Sequence, residues 1–199
     1  MTIDPSVLSG GMSYLEFVAG MTRNQERIQQ LRSSITLLDD ERAVFAALAK
    51  PLDVLVLAEN WCSDVVAGLP ILDALREASG DRLRLHIYLR DQHPELMDQF
   101  LNQGRYRSIP VFAFFNEDHQ EIGRFIERPS DLNAQREQRR TLLYANHPEM
   151  GEPETPIESL SREQQEARRQ LLSELDHELY ETRVRLTIRD LRSIAEKGT

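Results

Sequence analysis

The chain lacks a second cysteine. Only Cys62 among its 199 residues carries a thiol, so no disulfide can close within the chain, and it cannot cycle between its own dithiol and disulfide. A long apolar run is also missing: no stretch approaches the ~20 residues a helix needs to span a bilayer. The opening MTIDPSVLSGGMSY has no basic region and is broken by Pro5, Gly10 and Gly11, unlike a secretion signal. A cytoplasmic protein without membrane contact is expected. Nor is there an excess of basic residues. Lys and Arg number 24 against 33 Asp and Glu, for a net charge of −9, which argues against nucleic acid or anionic membrane as a general partner, because phosphate-rich surfaces are drawn to positive ones. The histidines, at His86, His93, His119, His147 and His177, have no metal-ligand spacing. No G-x-G-x-x-G, P-loop or nucleophile elbow is present. No metal or nucleotide cofactor is expected.

What is present, 40% hydrophobic residues, is enough for one core with appendages. In residues 13–31, Leu15, Val18, Met21, Ile28 and Leu31 recur at helical intervals, and Ser13 with Glu16 matches a capping box. Asp39, Asp40 and Glu41 open a second helix that Pro51 stops. DVLVLAE then reads as a strand covered on both faces. Residues 62–79 follow as a helix with Val65, Leu69, Leu72 and Leu75 as its apolar stripe, and LRLHIYL alternates as a half-exposed strand. Strand, helix, strand in this order is a βαβ unit, which implies parallel pairing. HPELMDQFLNQG reads as a short helix ended by Gly104, and VFAFF and EIGRFI as a hairpin across NEDHQ. A helix over 130–145, a Pro/Gly-dense linker, and a long charged helix over 160–196 with a stripe of Leu171, Leu175, Leu179 and Leu186 complete the chain. The expected organisation is a helical extension over 1–50 packed on a core over 51–145, a loop over 146–159 and an amphipathic segment over 160–199. The Leu stripe must be buried on the body of the protein or, in a homodimer, against a second copy.

Trp61-Cys62 at a strand-to-helix junction, Pro70 within the helix that follows, and Ile109-Pro110 just before the next strand together resemble the thioredoxin superfamily. That resemblance implies an α/β thioredoxin-like fold: a mixed four-stranded sheet flanked by helices, here with an N-terminal helical extension and a long C-terminal helix. It also makes Pro110 a cis-proline facing the thiol. RDQHPELMDQFLNQGRYRSIPVFAFF is similar to a bacterial branch of small thioredoxin-like proteins that carries W-C-x-D, often without the second cysteine. Two departures matter. Val65 stands where the family has its resolving cysteine, and Val56 where it often keeps a buried acid. The fold transfers, and the dithiol cycle does not.

A thiol at a helix start is biased towards the thiolate, because exposed N–H groups and the helix macrodipole favour an anion. Asp64 and Glu59 oppose this with nearby negative charge, although Asp64 also suits a first helical turn regardless of chemistry. Trp61 either offers substrate a flat face or packs against the body, and Ser63 reads as a small turn residue. By the resemblance, Arg105 and Arg107 lie on the loop folded against the thiol. There they would offset Asp64, bind the carboxylate of a glutathione-like peptide, or stand solvated. Ile109, Pro110 and the backbone of Val111 would hold an extended substrate. Two functions follow. Cys62 exchanges with mixed disulfides of protein or low-molecular-weight thiols, with glutathione or a similar thiol as co-substrate and resolving agent; alternatively, the domain is redox-inert and holds a protein partner in the cleft between Trp61 and Pro110.

Overall fold

In the computed structural model, which describes residues 1–198, the element β1 (Leu52–Ala58) is buried along its whole length. Its LDVLVLA sequence accounts for that: a strand covered on both faces needs apolar side chains on both. β2 (Leu83–Leu89) runs parallel beside it, Leu52 opposite Leu83, with the connection made by α5 (Ser63–Ala78). β3 (Val111–Phe115) lies antiparallel on the other side of β1, and β4 (Glu121–Ile126) antiparallel to β3, giving the order β2-β1-β3-β4. This is the mixed four-stranded sheet of a thioredoxin-like fold. The α5 stripe of Val65, Leu69, Leu72 and Leu75 is fully buried.

Four helices precede the sheet: α1 (Val7–Gly10), α2 (Tyr14–Ala19), α3 (Gln25–Ser34) and α4 (Asp39–Ala46). The single helix expected over 13–31 is therefore two. The capping box of Ser13 and Glu16 starts the first, but Gly20 ends it, and Asn24 takes a left-handed backbone at φ 61° that helical residues cannot share. The amide of Asn24 donates to Asn60 O at 2.8 Å, while the Gln25 amide donates at 2.8 Å to Val18 O, which also accepts from Met21 N–H at 3.2 Å. Leu15, placed by its spacing in the apolar stripe, is exposed, and Tyr14 and Phe17 are buried in its stead. Arg32 on α3 pairs with Asp73 of α5 at 2.7 Å and so ties the two helices together.

The first residues also lace the sheet edges. Met12 and Ile87 exchange two backbone hydrogen bonds of 2.9 Å beside β2, and Ile3 N–H donates to His119 O next to β4. Gly11 makes the first contact feasible, since a Cβ there would come within 2.6 Å of the His86 backbone.

After α6 (Pro94–Met97) and the hairpin come α7 (Ser130–Asn146) and the 34-residue α8 (Arg162–Ala195). The chain divides into two compact units. One is Met1–Arg128 with the residues from Thr187 on; the other is Pro129–Leu186. The division falls ahead of α7 and within α8. In the first unit the last turns of α8 supply buried Ile188, Leu191, Ile194 and Ala195, with Ile194 set against Gly123 of β4. In the second, α7 and α8 are joined by Arg136–Asp176 at 3.1 Å. Buried Arg168 donates there to the carbonyls of Met150, Glu152 and Thr155 and lies over the Tyr144 ring, closing the intervening loop on itself. Leu175 and Leu179 of the leucine stripe are buried, whereas Leu171 and Leu186 are only partly covered.

Candidate functional site

The C-terminal ends of parallel strands are where open α/β sheets leave a crevice, and β1 delivers the chain to that edge. Glu59, buried at its exit, accepts a 2.8 Å hydrogen bond from Asp91 N–H, which pins the end of β1 to the residues after β2. The chain then turns through Asn60 and Trp61, with Cys62 N–H donating to Glu59 O at 3.2 Å. Cys62 is the N-cap residue of α5, in an extended conformation, and its carbonyl accepts the first helical bond from Val66 N–H at 3.0 Å. Its side chain is partly exposed. Ser63 is the first helical residue, and Asp64 is buried in the first turn, 8% exposed.

Opposite the sulfur lies Ile109. The Ile109-Pro110 peptide is cis, and the Cys62 thiol donates a weak hydrogen bond of 3.6 Å to the Ile109 carbonyl. The loop that brings Ile109 there is held by residues with no signature in the sequence. Asn102 and Tyr106 exchange backbone bonds of 2.8 and 2.9 Å. The Asn102 amide donates to Glu127 Oε2 at 3.2 Å, and Glu127 N–H donates to Pro110 O at 2.8 Å. The loop is thereby fastened to the end of β4. Pro110 and Val111 are buried, and Val111 stands opposite both Leu57 and Ile126 in a strand paired on its two sides.

Arg105 and Arg107 are both exposed. Arg107 makes a two-pronged bond to Asp98, both contacts 2.7 Å, which holds the Asp98 carboxyl below its usual range through the hydrogen bond and then the charge of Arg107. Arg105 lies over the Tyr106 ring, and that ring is half exposed. Two other guanidiniums meet the Trp61–Asp64 stretch. Arg90, just past β2, sits 4.9 Å over the Trp61 ring and donates to Arg107 O at 3.3 Å; Trp61 remains 45% exposed. Arg128, just past β4, forms an ion pair with Asp64. Neither stands near Cys62 in sequence, so only the pairing of β1 with β2 and of β3 with β4 could reveal them.

Among the described residues no group of three or more His, Cys, Asp or Glu side chains could hold a metal ion. No helix of the described chain is long and apolar enough to cross a membrane.

Sheet order, crossover helix and a cysteine at the helix start facing the residue that leads into the hairpin define the thioredoxin-like class. The chain belongs to the thioredoxin family, whose model matches residues 11–139. Among solved structures, it is similar to a Pseudomonas aeruginosa protein of unknown function, 19% identical over 100% of both chains with a TM-score of 0.69. It is also similar to an HIV epitope scaffold, 18% identical over 98% of each chain with a TM-score of 0.65. At such identities the likeness is one of fold alone. None of the curated proteins matches the chain.

Proposed function

We propose that the protein is a monothiol exchange catalyst acting on mixed disulfides. The observation that carries this reading is Cys62, a partly exposed residue at the N-cap of α5 that faces Ile109. Exposed N–H groups at a helix start favour a thiolate, the form that attacks disulfides. The Cys62 thiolate attacks the glutathione-type sulfur of a protein mixed disulfide. A new S–S bond forms on Cys62, the old one breaks, and the substrate sulfur leaves as a thiolate that takes a proton from solvent. A second low-molecular-weight thiolate then attacks the adduct, regenerating Cys62 and releasing that small thiol as its own disulfide. With Val65 where a resolving cysteine would stand, the second sulfur comes from solution.

Trp61 offers its exposed face to the substrate, Ser63 and Asp64 form the helix edge beside it, and Ile109 and Pro110 form the opposite wall. Arg105 stands exposed on the neighbouring loop, where it suits the carboxylate of a glutathione-like peptide. Arg107, already held by Asp98, shapes that loop. The W-C-x-D stretch and the helical extension support placement in the bacterial branch. A single unpaired thiol suits a reducing cytoplasm that supplies the co-substrate.

The test is deglutathionylation of a model glutathionylated peptide with excess glutathione, wild type against Cys62→Ser. Turnover by the wild type and its loss, at least about a hundredfold, in the variant is the expected result. No turnover by the wild type would remove the exchange reading and leave a redox-inert binding module.

A further inference from the structure

Asp64 poses an electrostatic problem for any reactive thiol here. It lies in the first turn of α5, two residues past Cys62, where its carboxylate opposes the bias that the helix start exerts on the sulfur. A buried carboxylate is also costly without a partner. A residue from elsewhere in the fold answers both demands: the Arg128 guanidinium, partly buried, pairs with Asp64 Oδ2. Glu59, the other acid of the stretch, is turned to the Asp91 N–H, and Arg90 is spent on Trp61 and Asp91.

We infer that Arg128 is a positioning and charge-compensating residue for Cys62, cancelling the Asp64 carboxylate so that the helix start can act on the sulfur. The inference rests on the reading of Cys62 as a nucleophile and adds to it a residue outside the Trp61–Asp64 motif. Arg128 need not touch substrate. Its position just after β4 means that the hairpin, and not the cysteine loop, sets the charge around the thiol.

Iodoacetamide alkylation of Cys62 at one pH near neutrality reads the effect without requiring any disulfide substrate. Opposite signs are expected from the two halves of the pair. Arg128→Gln removes the positive charge from beside the carboxylate and slows alkylation about threefold or more, whereas Asp64→Asn removes the negative charge and speeds it by a similar factor. The double variant returns close to wild type, and Arg128→Lys keeps most of the wild-type rate. A pair that merely held the fold would shift both single variants in the same direction, and that outcome, or unchanged rates, overturns the inference. Should Arg128→Gln fail to fold by circular dichroism, the double variant measured against Asp64→Asn decides: slower alkylation in the double variant is expected, and equal rates overturn the inference. The deglutathionylation assay is independent: sign inversion without wild-type turnover keeps the charge coupling and removes the exchange reading, and turnover with unchanged alkylation does the reverse.

Discussion

Asp53 shows how one side chain can alter the character of a strand. It is buried on β1, where its sequence neighbours predict only apolar packing, and it meets Arg84 at 2.6 Å and His86 Nε2 at 2.7 Å on the adjacent strand. Register explains the cluster, since parallel pairing sets Asp53 beside Arg84, and Leu55 beside His86. Burial by itself would raise the Asp53 carboxyl. The His86 hydrogen bond, the charges of Arg84 and His86 and the Arg84 hydrogen bond together outweigh it and hold the group below its usual range. A lowered folded-state value means stability that is complete above the unfolded carboxyl range, near ~3.9, and that is lost as pH falls through the folded value. Asp53→Asn should therefore destabilise the protein by about 1–3 kcal/mol near neutrality. The gap to wild type should narrow as urea denaturation is repeated from pH 6 down to pH 3. A gap independent of pH would show that the charge contributes nothing.

At the scale of elements, the first residues add isolated backbone bridges to the sheet as well as helices. Their backbone bonds from Met12 to Ile87 depend on the close approach at Gly11, whose neighbours there are backbone atoms that cannot swing aside. Gly11 has an ordinary φ of −77°, so the requirement is for space and not for a left-handed conformation. Gly11→Ala should cost about 1–3 kcal/mol, read as a lower urea midpoint. Gly20→Ala, whose Cβ would find its nearest atom at 3.4 Å, should cost less. Periodicity marked the capping box of α2 and the buried stripe of α5. It missed the break between α2 and α3, because that break is stabilised by Asn24 reaching Asn60, a contact between residues distant in sequence and therefore invisible in a local pattern.

Across the whole molecule, the last turns of α8 complete the core of the unit that holds the site. Ile188, Leu191 and Ile194 are buried in it, and removing each from water contributes about 1.5–3 kcal/mol. Their sum is comparable with the ~5–15 kcal/mol by which a typical domain is stable. A chain ending at Leu186 should thus lose cooperative urea unfolding of the Met1–Arg128 unit, and Leu191→Ala in the full chain should cost about 2–5 kcal/mol. Tryptophan fluorescence reports on that unit alone, since Trp61 is the only tryptophan. A truncated chain with an unchanged midpoint would assign the final residues no part in the core.

By itself, the sequence determined the order of strands and crossover helix, the family resemblance, and the placement of Cys62 at a helix start, because each of these is written in local periodicity, in breakers or in adjacent residues. It also excluded an internal dithiol cycle, through composition alone. Only the tertiary structure decided how the arginines beside the Trp61–Asp64 stretch and on the loop before Ile109 are partnered. Arg128 faces Asp64, Arg90 faces Trp61, and Arg107 turns to Asp98, because strand pairing and loop closure bring together side chains that no spacing along the chain connects. Electrostatic interactions depend on distance through space, and that distance exists only once the sheet has formed.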